Sequence, residues 1–139
     1  MVHALHEAHR VLKPDGILVD LRPAAVHRRV GVVCKGSYRE LGSMREKFDD
    51  DLAANRAVAQ ILQEGLFITE WRRRFDCRRV MDTLDEFRTW IDEFVQLSSL
   101  PSHDWLIEEV EHALEQAYGK TEIVVRGPLV MRVLRKMEP

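Results

Sequence analysis

A chain of 139 residues is about the size of one ordinary domain, and its 45% hydrophobic and 32% charged residues are typical of a folded globular protein rather than a disordered or fibrous one. A formal net charge of −2 and an isoelectric point near 6.3 exclude a general electrostatic attraction to nucleic acid or to an anionic membrane. No apolar run approaches the ~20 residues that span a bilayer, and the N-terminus lacks the pattern of a signal peptide. We therefore expect a single cytoplasmic domain over residues 1–139.

The N-terminal segment predicts a helix, a turn and a strand. Residues 2–12 place apolar side chains on one helical face, namely Ala4, Leu5, Ala8, Val11 and Leu12. Lys13-Pro14-Asp15-Gly16 ends this helix, because proline cannot continue its hydrogen bonds and Asp-Gly favours a turn. The nearly continuous apolar run from Ile17 to Leu21 is typical of a strand buried on both faces of a sheet.

The remaining segments predict a hairpin, three helices and two strands. A hairpin is expected over 30–41 around Lys35-Gly36, and a helix over 49–64 ends at Gly65. A long strand over 66–81 precedes a helix that begins with a Thr83-x-x-Glu86 capping box. A further helix after Ser102 leads to a terminal strand over 122–135, which Gly127-Pro128 interrupts.

Residues 4–20, with the sequence ALHEAHRVLKPDGILVD, resemble the helix, turn and fifth strand of class I S-adenosylmethionine-dependent methyltransferases. In that family an amphipathic helix ends in R-V-L-K-P-G-G before an apolar strand, and here Asp15 replaces the first glycine of the pair. The later elements agree in order with the same family. The resemblance implies an α/β fold with a partial Rossmann-like sheet of strands five to seven, about four helices and a small hairpin. It also implies that the last two strands pair antiparallel and that the seventh lies between the fifth and sixth.

The cofactor half of that family has no counterpart in these residues. The family builds its S-adenosylmethionine site on the first strands, around a glycine-rich turn and acidic residues, whereas none of the seven glycines here forms a G-x-G pair. The resemblance therefore implies a truncated methyltransferase-like protein that binds no cofactor and is noncatalytic alone, without catalytic residues. The alternative is a methyltransferase half that another chain or an upstream segment completes.

An unpaired strand edge follows from the same resemblance. In the complete fold the fifth strand lies between the fourth and the seventh, so without the early strands one edge of Ile17, Leu18, Val19 and Leu21 stays open. Open apolar edges favour pairing with another chain, and two-fold symmetry is the commonest arrangement of identical chains. We expect a homodimer through this strand or a complementary methyltransferase half, or else the 30–41 hairpin covers the edge.

Asp20, Arg22 and Arg28 are the candidate substrate-side residues. They follow the fifth strand, where relatives in the resembled family often shape the acceptor pocket and where open α/β sheets bind ligands. The competing interpretation is that Asp20 and Arg22 simply pair with each other.

Two further clusters favour a structural interpretation. Five arginines on the long strand, Arg72, Arg73, Arg74, Arg78 and Arg79, allow a binding module for nucleic acid or phosphate ligands. Alternation splits them over two faces and acidic residues are plentiful, so a solvated, ion-paired strand is favoured and nucleic acid is not expected as a partner. His3, His6 and His9 lack the spacing of a zinc helix, so no metal site is predicted. The tryptophans, including Trp71 and Trp105, are assigned to the core.

Overall fold

The computed structural model describes residues 1–138 and has four helices and five strands over that range. The helices are α1 (Val2–Val11), α2 (Asp49–Gln63), α3 (Leu84–Leu97) and α4 (Asp104–Gln116). The strands are β1 (Ile17–Pro23), β2 (Arg29–Cys34), β3 (Ser37–Ser43), β4 (Phe67–Met81) and β5 (Thr121–Lys136). The mixed α/β class, the four helices and the small hairpin, which is β2–β3, are confirmed.

The chain divides into two compact units, which share the long strands β4 and β5. The first unit comprises Met1–Ala25, Phe48–Phe75 and the residues from Pro128 onward, and the second comprises Val26–Lys47 and Asp76–Gly127.

β5 is the strand with the most neighbours. It pairs antiparallel with β1 over Leu129–Arg135 and with β2 over Thr121–Arg126, and β2 pairs antiparallel with β3. β4 also pairs with β5. Glu70 contacts Arg135 and Asp76 contacts Arg126, so residue numbers rise along β4 as they fall along β5 and the pair is antiparallel, as expected for the last two strands.

The first unit packs α1 and α2 on one face of its strands. The buried side chains of this core are Leu5, Ala57, Val58, Ile61, Phe67 and Leu134. Of the predicted apolar stripe of α1, Leu5 is buried in this core and Leu12 packs against it, whereas Ala4 and Val11 are exposed. α2 begins with three aspartates that favour a helix N-terminus. Gly65 follows α2 with a φ of 73°, which is the left-handed conformation that glycine adopts without strain.

The second unit packs α3 and α4 against β2 and the first half of β5. Its largest fully buried side chains are Phe87, Met44, Ile91, Leu106, Ile123, Val30 and Val110. The predicted cap of α3 is confirmed, because the Glu86 amide donates to Thr83 Oγ1 at 3.1 Å. α4 begins one residue later than expected, at Asp104, whose amide donates to Ser102 Oγ at 3.2 Å.

The burial of β1 differs from the prediction. Ile17, Val19 and Leu21 are 48%, 56% and 53% exposed, so this strand is not buried on both faces. Leu18, Asp20 and Arg22 point to the other, half-buried face. The expectation was wrong because an apolar run does not reveal whether a second packing layer is present.

The assignment of two tryptophans to the core was also wrong. Phe67 and Phe87 are buried, but Trp71 on β4 and Trp105 on α4 are 40% and 37% exposed. Period-2 and 3.6-residue patterns place an aromatic residue on a face, and they do not say whether anything covers that face.

Candidate functional site

Asp20 and Arg22 form a largely buried charged pair near the end of β1. They lie two residues apart on a strand, so their side chains share one face. Arg22 Nε donates to Asp20 Oδ1 at 2.6 Å, and Arg22 donates a second bond to Asp20 Oδ2 at 2.9 Å. The side chains are only 10% and 16% exposed, for Asp20 and Arg22 respectively. The structure thus brings these two candidates together as a bidentate pair.

A second arginine adds positive charge to this pair. Arg132 of β5 is the register partner of Asp20, and its guanidinium lies 3.9 Å from Asp20 Oδ2. Burial lowers the pKa of Arg132, and the positive charges of Arg72 and Arg22 lower it further, while Asp20 opposes the shift. One buried nitrogen of Arg22 has no hydrogen-bond partner within residues 1–138. A single carboxylate therefore balances two largely buried guanidiniums.

Arg28, the third candidate, lies in the second unit and has its own partners. Its backbone amide donates to Glu46 Oε2 at 2.6 Å, and its guanidinium forms an ion pair with the same carboxylate. The guanidinium also lies over the Phe94 ring, 4.7 Å from its centroid. These contacts satisfy Arg28 locally, so the structure supports a site made of Asp20, Arg22 and Arg132 in the first unit.

An apolar surface lies on the opposite side of β1 from Asp20. Ile17, Val19 and Leu21 share that side, and the β1–β5 register sets Val133 beside Val19 and Met131 beside Leu21. We call these five residues the outer face. β1 pairs with β5 alone among the strands described for residues 1–138, so its second edge is also open.

The hairpin does not cover this edge. β2 uses one edge for β3 and the other for β5, and the strand pairs of residues 1–138 include none between the hairpin and β1. The prediction that the hairpin covers the edge of Ile17, Leu18, Val19 and Leu21 is therefore wrong, and this edge is unpaired.

β4 is solvated, but its arginines are not neutralised as expected. The two acidic residues of β4 form ion pairs with arginines of β5. Glu70 pairs with Arg135 at 2.5 Å, and Asp76 pairs with Arg126 at 2.8 Å. In the part of the chain that the structure describes, Arg72, Arg73, Arg74, Arg78 and Arg79 form no ion pair. Arg79 instead lies over the Trp90 ring, at 6.0 Å.

Sequence reasoning missed a cluster around Tyr38 in the second unit. Tyr38 packs on Gly31, where an added Cβ would come within 2.5 Å of its ring, so only glycine fits there. The Arg126 guanidinium lies 5.3 Å from the ring centroid and binds Asp76. Burial and the nearby Glu40 raise the pKa of Tyr38, while Arg126 and Arg29 oppose the shift. A glycine between two valines, on the strand that pairs with the strand of Tyr38, was the available signal for this contact.

The raised pKa of Tyr38 predicts an alkaline transition that spectrophotometric titration can measure. In a Tyr118→Phe variant Tyr38 is the remaining tyrosine, and its phenolate is expected to form above the usual tyrosine pKa of about 10. Because the unfolded chain then loses this proton first, stability is expected to fall as pH rises from the usual value through the raised one. Glu40→Gln should lower the pH at which this transition occurs, because Glu40 raises the pKa of Tyr38. A Tyr38 transition at or below the usual value would contradict this account.

Sequence reasoning also missed His103, the buried polar residue at the start of α4. It is 2% exposed, its Nε2 accepts from the Arg45 amide at 2.9 Å, and its Nδ1 donates to the Pro101 carbonyl at 2.9 Å. These bonds fix the ring between two loops. Two of the N-terminal histidines have separate partners, since His6 contacts Glu64 at 2.6 Å and His9 contacts the Met137 carbonyl at 2.9 Å.

An open groove of about 570 Å³ lies between the end of β4 and α3. Arg79, Trp90 and the carboxylates of Asp85, Glu86 and Glu93 line it. Glu86 is engaged as a helix cap, accepting from the Asp82 amide at 2.9 Å. The groove is therefore acidic and shallow, and it lacks a buried polar group that would orient a ligand.

No helix within residues 1–138 is both long and apolar enough to cross a bilayer. Comparison of the chain with family models, curated proteins and solved structures gives no match.

Proposed function

We propose that this chain is the C-terminal half of a class I S-adenosylmethionine-dependent methyltransferase-like protein, noncatalytic alone, and that a complementary methyltransferase half joins it along β1. Asp20 and Arg22 would then lie on the substrate side of the assembled protein. The proposal rests on the burial of β1, on the order of three strands and on the absence of a glycine cradle among the described residues.

The inverted burial of β1 carries the proposal. In a self-sufficient sheet the polar side chains of a strand face water and its apolar side chains face the core. β1 departs from this pattern, because Asp20 and Arg22 are largely buried on the same face as Leu18, while Ile17, Val19 and Leu21 are about half exposed. Such a strand fits a fold in which another layer covers the outer face and another strand fills the open edge.

The order of the strands supports the same interpretation. β5 is antiparallel to both β1 and β4 and pairs with each of them. In the resembled family the seventh strand likewise lies between the fifth and the sixth and runs antiparallel to them. The open edge of β1 corresponds to the position of the fourth strand in that family.

A complementary half fits the outer face better than a second copy does. Two β1 strands that pair across a two-fold axis lie side by side in one sheet, so the outer faces of both copies stay uncovered. The fully overlapping register of Ile17–Pro23 also sets Asp20 against Asp20 of the other copy, and like charges directly opposite are destabilising. A strand with its own helices covers both the edge and the face.

The energy available at the outer face is moderate. Complete burial of a Val, Leu or Ile side chain contributes about 1.5–3 kcal/mol, so covering the three half-exposed side chains of β1 contributes roughly 3 kcal/mol. Association costs at least about 4 kcal/mol. Backbone hydrogen bonds along the open edge and further contacts with the added layer must therefore provide the rest, which again favours a large partner.

The described residues do not fit S-adenosylmethionine. Glycines that approach other atoms closely are packed by the chain itself, as at Gly31 against Tyr38 and at Gly16 against the Lys13 carbonyl. Gly36, Gly65 and Gly119 have positive φ and lie in turns. No glycine within residues 1–138 thus forms a backbone cradle for a ligand, so the complementary half would have to provide it.

Calorimetry with S-adenosylmethionine and S-adenosylhomocysteine tests the noncatalytic part of the proposal. We expect no binding to the isolated chain tighter than about 1 mM, which corresponds to roughly −4 kcal/mol. Micromolar binding to the isolated chain would overturn it.

A fusion tests the role of β1. The first four strands of a class I methyltransferase, with their helices, would precede Met1. In a fusion that binds S-adenosylmethionine, the β1 amides are expected to be protected from hydrogen exchange. Val19→Lys is expected to weaken binding of the cofactor to this fusion. Val11→Lys, an equally exposed valine on α1, is the matched control and should have no effect. Cofactor binding without protection of β1 would show that the junction lies elsewhere.

A further inference from the structure

β4 is a second open strand, and its properties differ from those of β1. It is fifteen residues long, and every residue between its buried ends, Phe67 and Met81, is exposed. Its ladder partner among the strands of residues 1–138 is β5, so its outer edge is unpaired. A long exposed edge is a template for another strand, and charged residues normally protect it against pairing at random.

Charged residues of opposite sign lie at equal distances on the two sides of Arg74, the central residue of Phe67–Met81. Consider a second copy of β4 paired antiparallel across a two-fold axis at Arg74, so that every residue of the strand has a partner. Residues 70 and 78 then lie opposite each other, as do residues 72 and 76. The resulting pairs on this face are Ile68–Val80, Glu70–Arg78 and Arg72–Asp76, and each occurs twice. The only like-charge contact is Arg74 with its own copy.

The opposite face of this register is also compatible with pairing. It sets Trp71 against Cys77 and Arg73 against Phe75, so an exposed aromatic ring on each copy gains a neighbour. Arginine over an aromatic ring is a favourable contact.

The neighbouring registers are unfavourable. A shift by one pair in one direction sets Glu70 against Asp76 and Arg72 against Arg74. A shift in the other direction sets Arg72 against Arg78 and leaves Glu70 opposite Val80. Residues opposite each other must lie on the same face of the sheet, so the sum of their residue numbers changes by two from one register to the next. The charges therefore discriminate between registers, which is how natural interfaces achieve specificity.

We propose that β4 is a self-association surface, and that two copies of this chain pair antiparallel along β4 in the register centred on Arg74. The interaction depends on the sequence of β4 alone and does not require the methyltransferase assignment. The two edges then have different partners, a second copy at β4 and a complementary half at β1.

A charge-swap experiment tests this register. Arg78→Glu places two carboxylates opposite each other at positions 70 and 78, and Glu70→Arg places two guanidiniums there, so each variant alone should repel itself. In an equimolar mixture the two variants form opposite-charge pairs at both positions. By sedimentation velocity we expect wild type to dimerise at micromolar concentration, each variant alone to dimerise about tenfold more weakly or worse, and the mixture to dimerise like wild type. Arg56→Glu, an exposed arginine on α2, is the matched control and should dimerise like wild type.

Crosslinking gives a second readout that does not depend on charge reversal. With Cys34 and Cys77 replaced by serine, Arg74→Cys should form an intermolecular disulfide under mild oxidation, because residue 74 faces its own copy. Arg72→Cys should not, because residue 72 faces residue 76. A wild-type monomer at high micromolar concentration, or a folded mixture that stays monomeric, would overturn the proposal. Salt-sensitive RNA retention lost in Arg78→Glu, without a change in oligomeric state, would assign the arginines to nucleic acid instead.

Discussion

Asp20→Ala is expected to destabilise the protein by about 3 kcal/mol. Asp20 is the carboxylate that balances Arg22 and, at 3.9 Å, Arg132, and all three side chains are less than one-fifth exposed. Its removal leaves two guanidiniums largely out of water and close to each other. The positive charge of Arg22 already contributes to the lowered pKa of Arg132, and the loss of Asp20 removes the charge that opposes this.

Urea denaturation measures this loss of stability, and two further variants serve as comparisons. Asp20→Asn keeps the shape and one acceptor, so it should cost less than Asp20→Ala. Glu7→Ala removes a carboxylate from the exposed Glu7–Arg10 pair on α1, and it should leave the midpoint of denaturation unchanged. If Asp20→Ala behaved like Glu7→Ala, the charged site at the end of β1 would be a surface pair of no consequence.

Leu134→Ala is expected to destabilise the first unit by about 2–5 kcal/mol. Leu134 is fully buried on β5, where it faces Leu18 of β1 and contacts the core formed with α1 and α2. Alanine removes three carbon atoms and leaves a cavity between the helices and the strands. Thermal denaturation followed by circular dichroism would detect the loss.

The control for Leu134 is a leucine that the fold leaves in water. Leu97, at the end of α3, is 87% exposed, and Leu97→Ala should change stability by no more than about 0.5 kcal/mol. Equal effects of the two substitutions would mean that the helices α1 and α2 do not pack on β5 as described.

Local chemistry made most of the elements predictable. α3 begins where Thr83 and Glu86 cap it, α2 ends before Gly65, and the hairpin turns at Lys35-Gly36. Each of these signals is satisfied by residues a few positions apart, so no knowledge of the rest of the chain is needed. The pairing of Asp20 with Arg22 was foreseen as an alternative for the same reason.

Features that depend on distant residues were not predictable. Ile17, Val19 and Leu21 are exposed because no layer of residues 1–138 covers them, and a continuous apolar run gives no sign of that. Arg132 joins Asp20 through the β1–β5 register, across more than a hundred residues of sequence. His103 is likewise buried, and Tyr38 partly buried, by segments that sequence periodicity does not connect.

Amide hydrogen exchange at β1 tests the central claim most directly. It would be followed by NMR on the Arg78→Glu variant, in which pairing at β4 is weakened. If the outer edge of β1 is open, every second amide from Leu18 to Arg22 is expected to exchange at close to the unprotected rate, while those facing β5 stay protected. Protection of all of these amides to the level of Val124 on β5 would contradict the claim that the outer edge of β1 is unpaired and available to a complementary strand.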